Sequence, residues 1–175
     1  MRQLLKLHPT SRCDAVREIA VEAQRLDRAA LRLRYRASGT IADLLIPAPA
    51  MSARTDALWQ HTCFEAFLRP RAGGRYLEFN FAPSTEWAAY AFSDYRSAME
   101  IVADASVSID VEATQDALTL TVLLEGLPDD AGWRLGLSAV MEEKSGRRSY
   151  WALAHPPGKP DFHHSDCFAL GLPAA

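Results

Sequence analysis

Two glutamates draw attention because each carboxylate sits in an otherwise apolar or aromatic run: Glu65 in Cys63-Phe64-Glu65-Ala66-Phe67, and Glu78 in Tyr76-Leu77-Glu78-Phe79-Asn80-Phe81. With a period of two, Glu65 shares a face with Cys63 and Phe67, and Glu78 shares one with Tyr76 and Asn80, which leaves Leu77, Phe79 and Phe81 for the buried side. A face carrying Tyr76, Glu78 and Asn80 offers hydrogen-bonding groups beside an aromatic ring. That is the composition of a site for hydroxyl-rich ligands, and equally of a wet sheet surface. Carboxylates so placed can bind a ligand or bond to neighbouring strands and arginines. They can also act as the acid and nucleophile of a glycoside hydrolase when held roughly 5 to 9 Å apart.

Other reactive side chains are less patterned. Trp59, Trp87, Trp133 and Trp151 fall at or near expected strand ends, where an indole can stack on the apolar face of a sugar or on a planar cofactor, or simply fill a core. His163, His164, Asp166 and Cys167 are all zinc-ligand types. Adjacent residues of a strand point to opposite faces, however, so a loop leading into a last strand at 167–170 is the expected reading, with no metal assigned. His155, before two prolines, reads as an exposed loop residue. There is no glycine-rich dinucleotide fingerprint, phosphate-binding loop, serine elbow or His-Glu-x-x-His pair, so no catalytic residue is assigned.

These side chains need strands to position them. Leu31, Leu33 and Tyr35 alternate with Arg32, Arg34 and Arg36, which predicts a strand with its guanidinium groups in solvent. The segment 16–24, followed by the spacer 25–28, predicts the other arm of a hairpin, with a helix over 16–26 as the alternative. Further strands are predicted over 62–68, 75–81, 105–113, 117–124 and 133–142, and over 86–92 with both faces covered. A helical turn is left open over 94–99. Turn-forming stretches at 70–74, 114–116 and 126–132 separate them, and 142–148 reads as a solvated hairpin loop before Tyr150 and Trp151. Many short strands with tight connections predict an all-β, antiparallel two-sheet β-sandwich, formed as one domain over 1–175.

Composition narrows the partners. The 175 residues carry 19 Lys and Arg against 22 Asp and Glu, a formal net charge of -3, so no basic field exists to hold a phosphate backbone, and nucleic acid is excluded. Apolar runs such as 46–51 are short and broken by proline, far below the ~18 residues a membrane helix needs. The apolar stretch near Met1 stops too soon for an export signal. Cys13, Cys63 and Cys167 lack metal spacing and cannot all pair, so a reducing compartment, the cytoplasm, is expected.

The segments Leu58-Trp59-Gln60-His61-Thr62-Cys63-Phe64-Glu65-Ala66-Phe67 and Tyr76-Leu77-Glu78-Phe79-Asn80-Phe81-Ala82-Pro83-Ser84 resemble the motif of DOMON-like domains and family-nine carbohydrate-binding modules. That motif is a tryptophan, an acidic pair, a glutamate-bearing strand, and a tyrosine-x-glutamate-phenylalanine strand ending at proline. Trp59, Glu65, Phe67, Tyr76, Glu78, Phe79 and Pro83 match in order. His61 and Thr62 replace the acidic pair, so a calcium or sugar contact from those positions is not carried over. Trp87, Tyr90, Phe92, Tyr95-Arg96 and the segment 162–168 look like a bacterial branch of the same superfamily. The resemblance spans about residues 15 to 172 and is most specific over 58–96. It implies a β-sandwich whose concave sheet binds a sugar, or in some members haem. For a sugar site it carries over Trp59, Glu65 and Glu78. Haem-binding members use a methionine and a histidine, for which Met99, Met141, His155, His163 and His164 are the candidates. The expected function is therefore a non-catalytic domain binding a carbohydrate or related small polar molecule through Trp59, Glu65, Tyr76, Glu78 and Asn80. The alternatives are a haem domain for electron transfer, a structural or protein-interaction domain, and a glycoside hydrolase using Glu65 and Glu78.

Overall fold

The computed structural model describes residues 1–128 and 132–173. Twelve strands are formed there: β1 (Arg2–Leu7), β2 (Val16–Arg25), β3 (Leu31–Gly39), β4 (Cys63–Pro70), β5 (Tyr76–Phe81), β6 (Trp87–Phe92), β7 (Glu100–Ile101), β8 (Ser106–Ala113), β9 (Ala117–Glu125), β10 (Gly132–Glu142), β11 (Arg148–Ala152) and β12 (Leu170–Pro173). Their hydrogen-bonded order is β7-β6-β5-β4-β10-β11-β1-β2-β3-β9-β8, with β12 beside the first part of β10, and the strand pairings are antiparallel.

Alternation explains most of these elements. Along β3, Leu31, Leu33, Tyr35 and Ala37 are buried while Arg32, Arg34 and Arg36 are exposed. The segment 16–26 takes the strand alternative: β2 pairs with β3 from Arg25 opposite Leu31 to Val16 opposite Gly39, with one irregularity between Val16 and Glu18. Residues 94–99 form turns with Arg96 and Ala98 at positive φ (49° and 45°) rather than a helical turn. The expected last strand begins later, because a 3-10 turn occupies Ser165–Cys167 and β12 starts at Leu170. The turn expected over 126–132 falls partly on 129–131, outside the described residues.

β1, like the two-residue β7, is not among the strands expected from the sequence, and it joins two sectors. Its first part pairs with β2, and Lys6 and Leu7 pair with Ala152 and Trp151 of β11. The sheet is thus continuous and curls, where two separate sheets were expected. The physical reason is that Arg2-Gln3-Leu4-Leu5-Lys6-Leu7 is long enough to serve as neighbour to both sectors. Inside the curl, Leu33, Tyr35, Leu118 and Leu120 of one sector meet Phe64, Leu68, Phe79 and Phe81 of the other in a common core. Tyr35 crosses this core: its ring lies 5.1 Å from that of Phe64, and its hydroxyl donates to the Glu65 carbonyl at 2.8 Å. Tyr35→Phe leaves that carbonyl without its cross-core donor and is expected to cost about 1–3 kcal/mol by urea unfolding. An unchanged midpoint would refute the role given to this bond.

The other face of β4, β5, β6, β10 and β11 is also covered in part. Phe162 and Phe168, from the segment that returns between β11 and β12, pack with Phe67, Tyr76 and Phe92. Gly136 of β10 permits this approach, since a Cβ there would lie 3.2 Å from the Cys167 carbonyl oxygen and 3.3 Å from the Phe67 Cβ. What this cover leaves open is the site.

Candidate functional site

Register places the polar residues of the uncovered face in rows across the strands. One row runs Ile101, Tyr90, Glu78, Phe67, from the β7 edge inward. The next runs Ala88, Asn80, Glu65, Ser138. Glu65 and Glu78 are therefore diagonal cross-strand neighbours, whose Cα atoms lie about 7–8 Å apart in an antiparallel pair. Above them opens a cleft of about 850 Å³, whose lining includes Trp59, Glu65, Glu78, Tyr90, Arg96 and His163.

Each carboxyl is held differently. Ser138 Oγ donates to Glu65 Oε2 at 3.0 Å, and among the described residues nothing bonds to Oε1. Burial, reinforced by the Glu78 carboxyl, pushes the Glu65 pKa up to about 8 against the opposing pull of the Ser138 bond and the Arg96 guanidinium. Glu65 is thus a carboxylic acid at neutral pH, able to donate as well as accept. Glu78 is also raised, chiefly by burial, with the Asn80 bond and Arg96 opposing. Its Oε1 accepts from Asn80 Nδ2 at 2.8 Å.

A chain of bonds fixes the histidine. The Arg96 backbone N–H donates to Tyr76 Oη at 3.2 Å, and Tyr76 Oη lies 2.8 Å from His163 Nδ1. The Tyr76–Nδ1 bond forms with either ring tautomer, and the other ring nitrogen, Nε2, lies 3.5 Å from Glu78 Oε2. Burial, then Arg96, lowers the His163 pKa to about 4 despite Asp161, so the ring is neutral at pH 7. Arg96 is itself anchored: its guanidinium bonds to Asp161 at 2.9 Å, and Tyr95 Oη donates to the same carboxylate at 2.6 Å. On the β6 side, Tyr90 Oη donates to Asp56 at 2.5 Å.

Of the five residues expected from the sequence, Trp59, Glu65 and Glu78 line the cleft. Tyr76 and Asn80 lie on the same face but beneath it. Both are buried and bond to His163 and Glu78, which makes them positioning groups rather than walls. The two readings left open for the tryptophans divide between them: Trp133 and Trp151 are core residues, and Trp87 stacks under Arg54 at 5.2 Å. Only Trp59 faces the cleft, 52% exposed on the short turn Leu58–Gln60.

Sequence reasoning missed Asp56, Arg96, Lys159 and Phe162 among the lining residues. They come from irregular segments with no period to read. Tyr90 and Phe92 were within reach, since the same alternation that orients Glu78 orients them.

The histidine and methionine candidates for haem do not converge on a usable pair. Met141 is buried in the core on the opposite face, and His155 Nε2 lies 2.8 Å from the Lys6 carbonyl oxygen. Met99 and His163 both border the cleft, but His163 Nδ1 is bonded to Tyr76 Oη and Nε2 lies 3.5 Å from Glu78 Oε2, so both ring nitrogens already have protein groups beside them. His164 turns away and accepts from the Asp166 amide. The residues present do not fit an axial pair. Among the described residues, no helix is long and apolar enough to cross a membrane.

No family model and no curated protein matches the sequence. A crystal structure of a protein from Bacteroides uniformis, described as a putative carbohydrate-binding protein, is similar in fold, with a TM-score of 0.63 over 95% of this chain and 83% of that one. Sequence identity is 12%, so what the two chains share is the nearly all-β architecture itself.

Proposed function

We propose that this protein is a non-catalytic binding domain for a carbohydrate or a related small polar molecule, seated in the cleft above Glu65 and Glu78, and that its curled sheet is a DOMON-like, sandwich-type variant of the carbohydrate-binding architecture. The observation that carries the reading is Glu65: a buried carboxylic acid with one oxygen free of protein partners, directed into a cleft that an exposed tryptophan also lines. Hydroxyl-rich ligands need paired donors and acceptors beside an aromatic face. Glu65 and Glu78 supply the first and Trp59 the second. The carbohydrate-binding description of the Bacteroides uniformis protein lends support at the level of fold.

The same two carboxyls, on diagonal positions of neighbouring strands, also invite the glycoside hydrolase reading. Their environments argue against it, because such an enzyme needs one carboxyl ionised as nucleophile or base, and burial opposes ionisation of both.

Trp59→Ala is expected to weaken sugar binding about tenfold or more in calorimetric titration, the loss typical of a central aromatic contact. The urea midpoint should not move, because the indole is half-exposed. Failure of the wild-type protein to bind any member of a panel of mono- and oligosaccharides would overturn the proposal, and so would glycan turnover abolished by Glu78→Gln.

A further inference from the structure

The cleft is polar at its centre and apolar at one end. Nine large hydrophobic side chains are exposed among the described residues, and three of them, Trp59, Met99 and Ile101, border this one cleft. Met99 is 59% and Ile101 57% exposed. Scattered single exposures need no explanation, but a cluster continuous with a concave site does.

Register shows how the two ends connect. Ile101 pairs with Tyr90, and Tyr90 pairs with Glu78, so the apolar rim lies two strands from the carboxyl, on the order of 10 Å away at ordinary strand spacing. That span exceeds one sugar ring. The rim is also held in place. Arg54 stacks on Trp87 and donates to the carbonyls of Ala89 and Val102, which fixes the chain just after β7 against β6. Glu100 points the other way and pairs with Arg75 at 3.0 Å, so alternation along this two-residue strand leaves Ile101 turned to the cleft. The neighbouring cation, Arg96, is committed to Asp161. Asp56, beside Tyr90, is likewise engaged, accepting from the Tyr90 hydroxyl.

We infer that the ligand of this cleft is amphipathic: a glycoside whose sugar lies over Glu65 and Glu78 and whose apolar aglycone runs along Tyr90 to the rim made by Met99 and Ile101. This rests on the carbohydrate reading above and adds the class of glycoside.

The test is titration calorimetry with matched methyl and octyl glycosides of glucose, galactose and mannose, the octyl compounds below their micelle concentration, with octanol alone as control. For whichever sugar binds, the octyl glycoside should bind at least about tenfold tighter than the methyl one, as expected if two or more methylene groups leave water. The double variant Met99→Ser/Ile101→Ser should erase that advantage and leave methyl glycoside affinity unchanged, while Met99→Leu/Ile101→Val keeps it. Equal affinity for methyl and octyl glycosides overturns this inference and leaves the sugar site standing. If octanol alone binds as tightly as the octyl glycoside, or if no glycoside binds, both readings fall. Sedimentation of the wild type and the serine variant covers the remaining case: a dimer dispersed by the serines would mean that the rim meets a second copy, and would overturn the inference.

Discussion

Glu65→Gln is expected to abolish most of the stability that the wild-type protein loses between pH 6.5 and 8. The Glu65 carboxyl titrates near 8 when folded and near 4.5 otherwise, so between these values the folded state holds a proton that the unfolded state has released. Stability from this source is fully present below pH 4.5 and falls as pH rises through 8, at up to about 1.4 kcal/mol per pH unit. His163 acts with the opposite sign: its ordinary value of 6.5 drops to about 4 in the fold, and its contribution is lost as pH falls through that window. From pH 4.5 to 6.5 the two slopes offset each other. Above 6.5 only the Glu65 carboxyl remains of the two, and the loss to pH 8 amounts to about 2 kcal/mol. Glutamine is uncharged at every pH and its amide oxygen still accepts from Ser138. Urea unfolding of the variant should therefore be nearly level above pH 6.5 and should decline on the acid side through His163. A wild-type slope in the variant would locate the proton elsewhere.

Gly39→Ala is expected to destabilise the fold by at least about 3 kcal/mol, at the upper end of what overpacking costs and a large part of the stability of an ordinary domain. A Cβ at this position would come within 1.9 Å of the Ala15 carbonyl oxygen and 2.9 Å of the Val16 Cα. Both are backbone atoms, so no side chain can rotate away. The Ala15 carbonyl also accepts from the Thr40 amide at 2.8 Å, and the Gly39 amide donates to the Asp116 carbonyl at 3.0 Å, so a shift of either segment breaks backbone hydrogen bonds. The measurement is the urea midpoint, and a variant as stable as the wild type would show that β2 and β3 separate at little cost where they irregularly pair.

Much of this arrangement is written locally, in alternation. The Arg32, Arg34, Arg36 series sets the outer face of β3, and Tyr76-Leu77-Glu78-Phe79-Asn80-Phe81 divides correctly into a core side and a site side. The pairing of Glu65 with Asn80, which makes Glu65 and Glu78 neighbours, depends on the turn between β4 and β5 and does not follow from either strand alone. Tyr76 and Asn80 look like ligand groups in sequence because polarity and facing are all that the sequence displays. Tyr76 is buried because residues more than 60 positions away, Phe162, His163 and Phe168, return over it, while Asn80 is held by Glu78 and Cys63 on the strands themselves. Arg96 and Asp161 meet across 65 positions from two irregular segments, and no periodicity encodes such a contact. β1 was passed over because its alternation is imperfect: Leu4 and Leu5 are both apolar, yet only Leu5 is buried.

The curl that brings β1 between two sectors does not close into a barrel, and so it leaves the sheet with ends. At one end β7 has only two residues, too few to template another strand, while at the other β8 presents eight. That long edge reads Ser-Val-Ser-Ile-Asp-Val-Glu-Ala, with Asp110 and Glu112 on its solvent side. Two molecules meeting edge to edge would bring these carboxylates together with their own copies, and acidic side chains on an otherwise open strand are a recognised means of blocking such growth. Among the described residues, the acids of β8 thus line the longer of the two borders at the ends of this strand order with like charge.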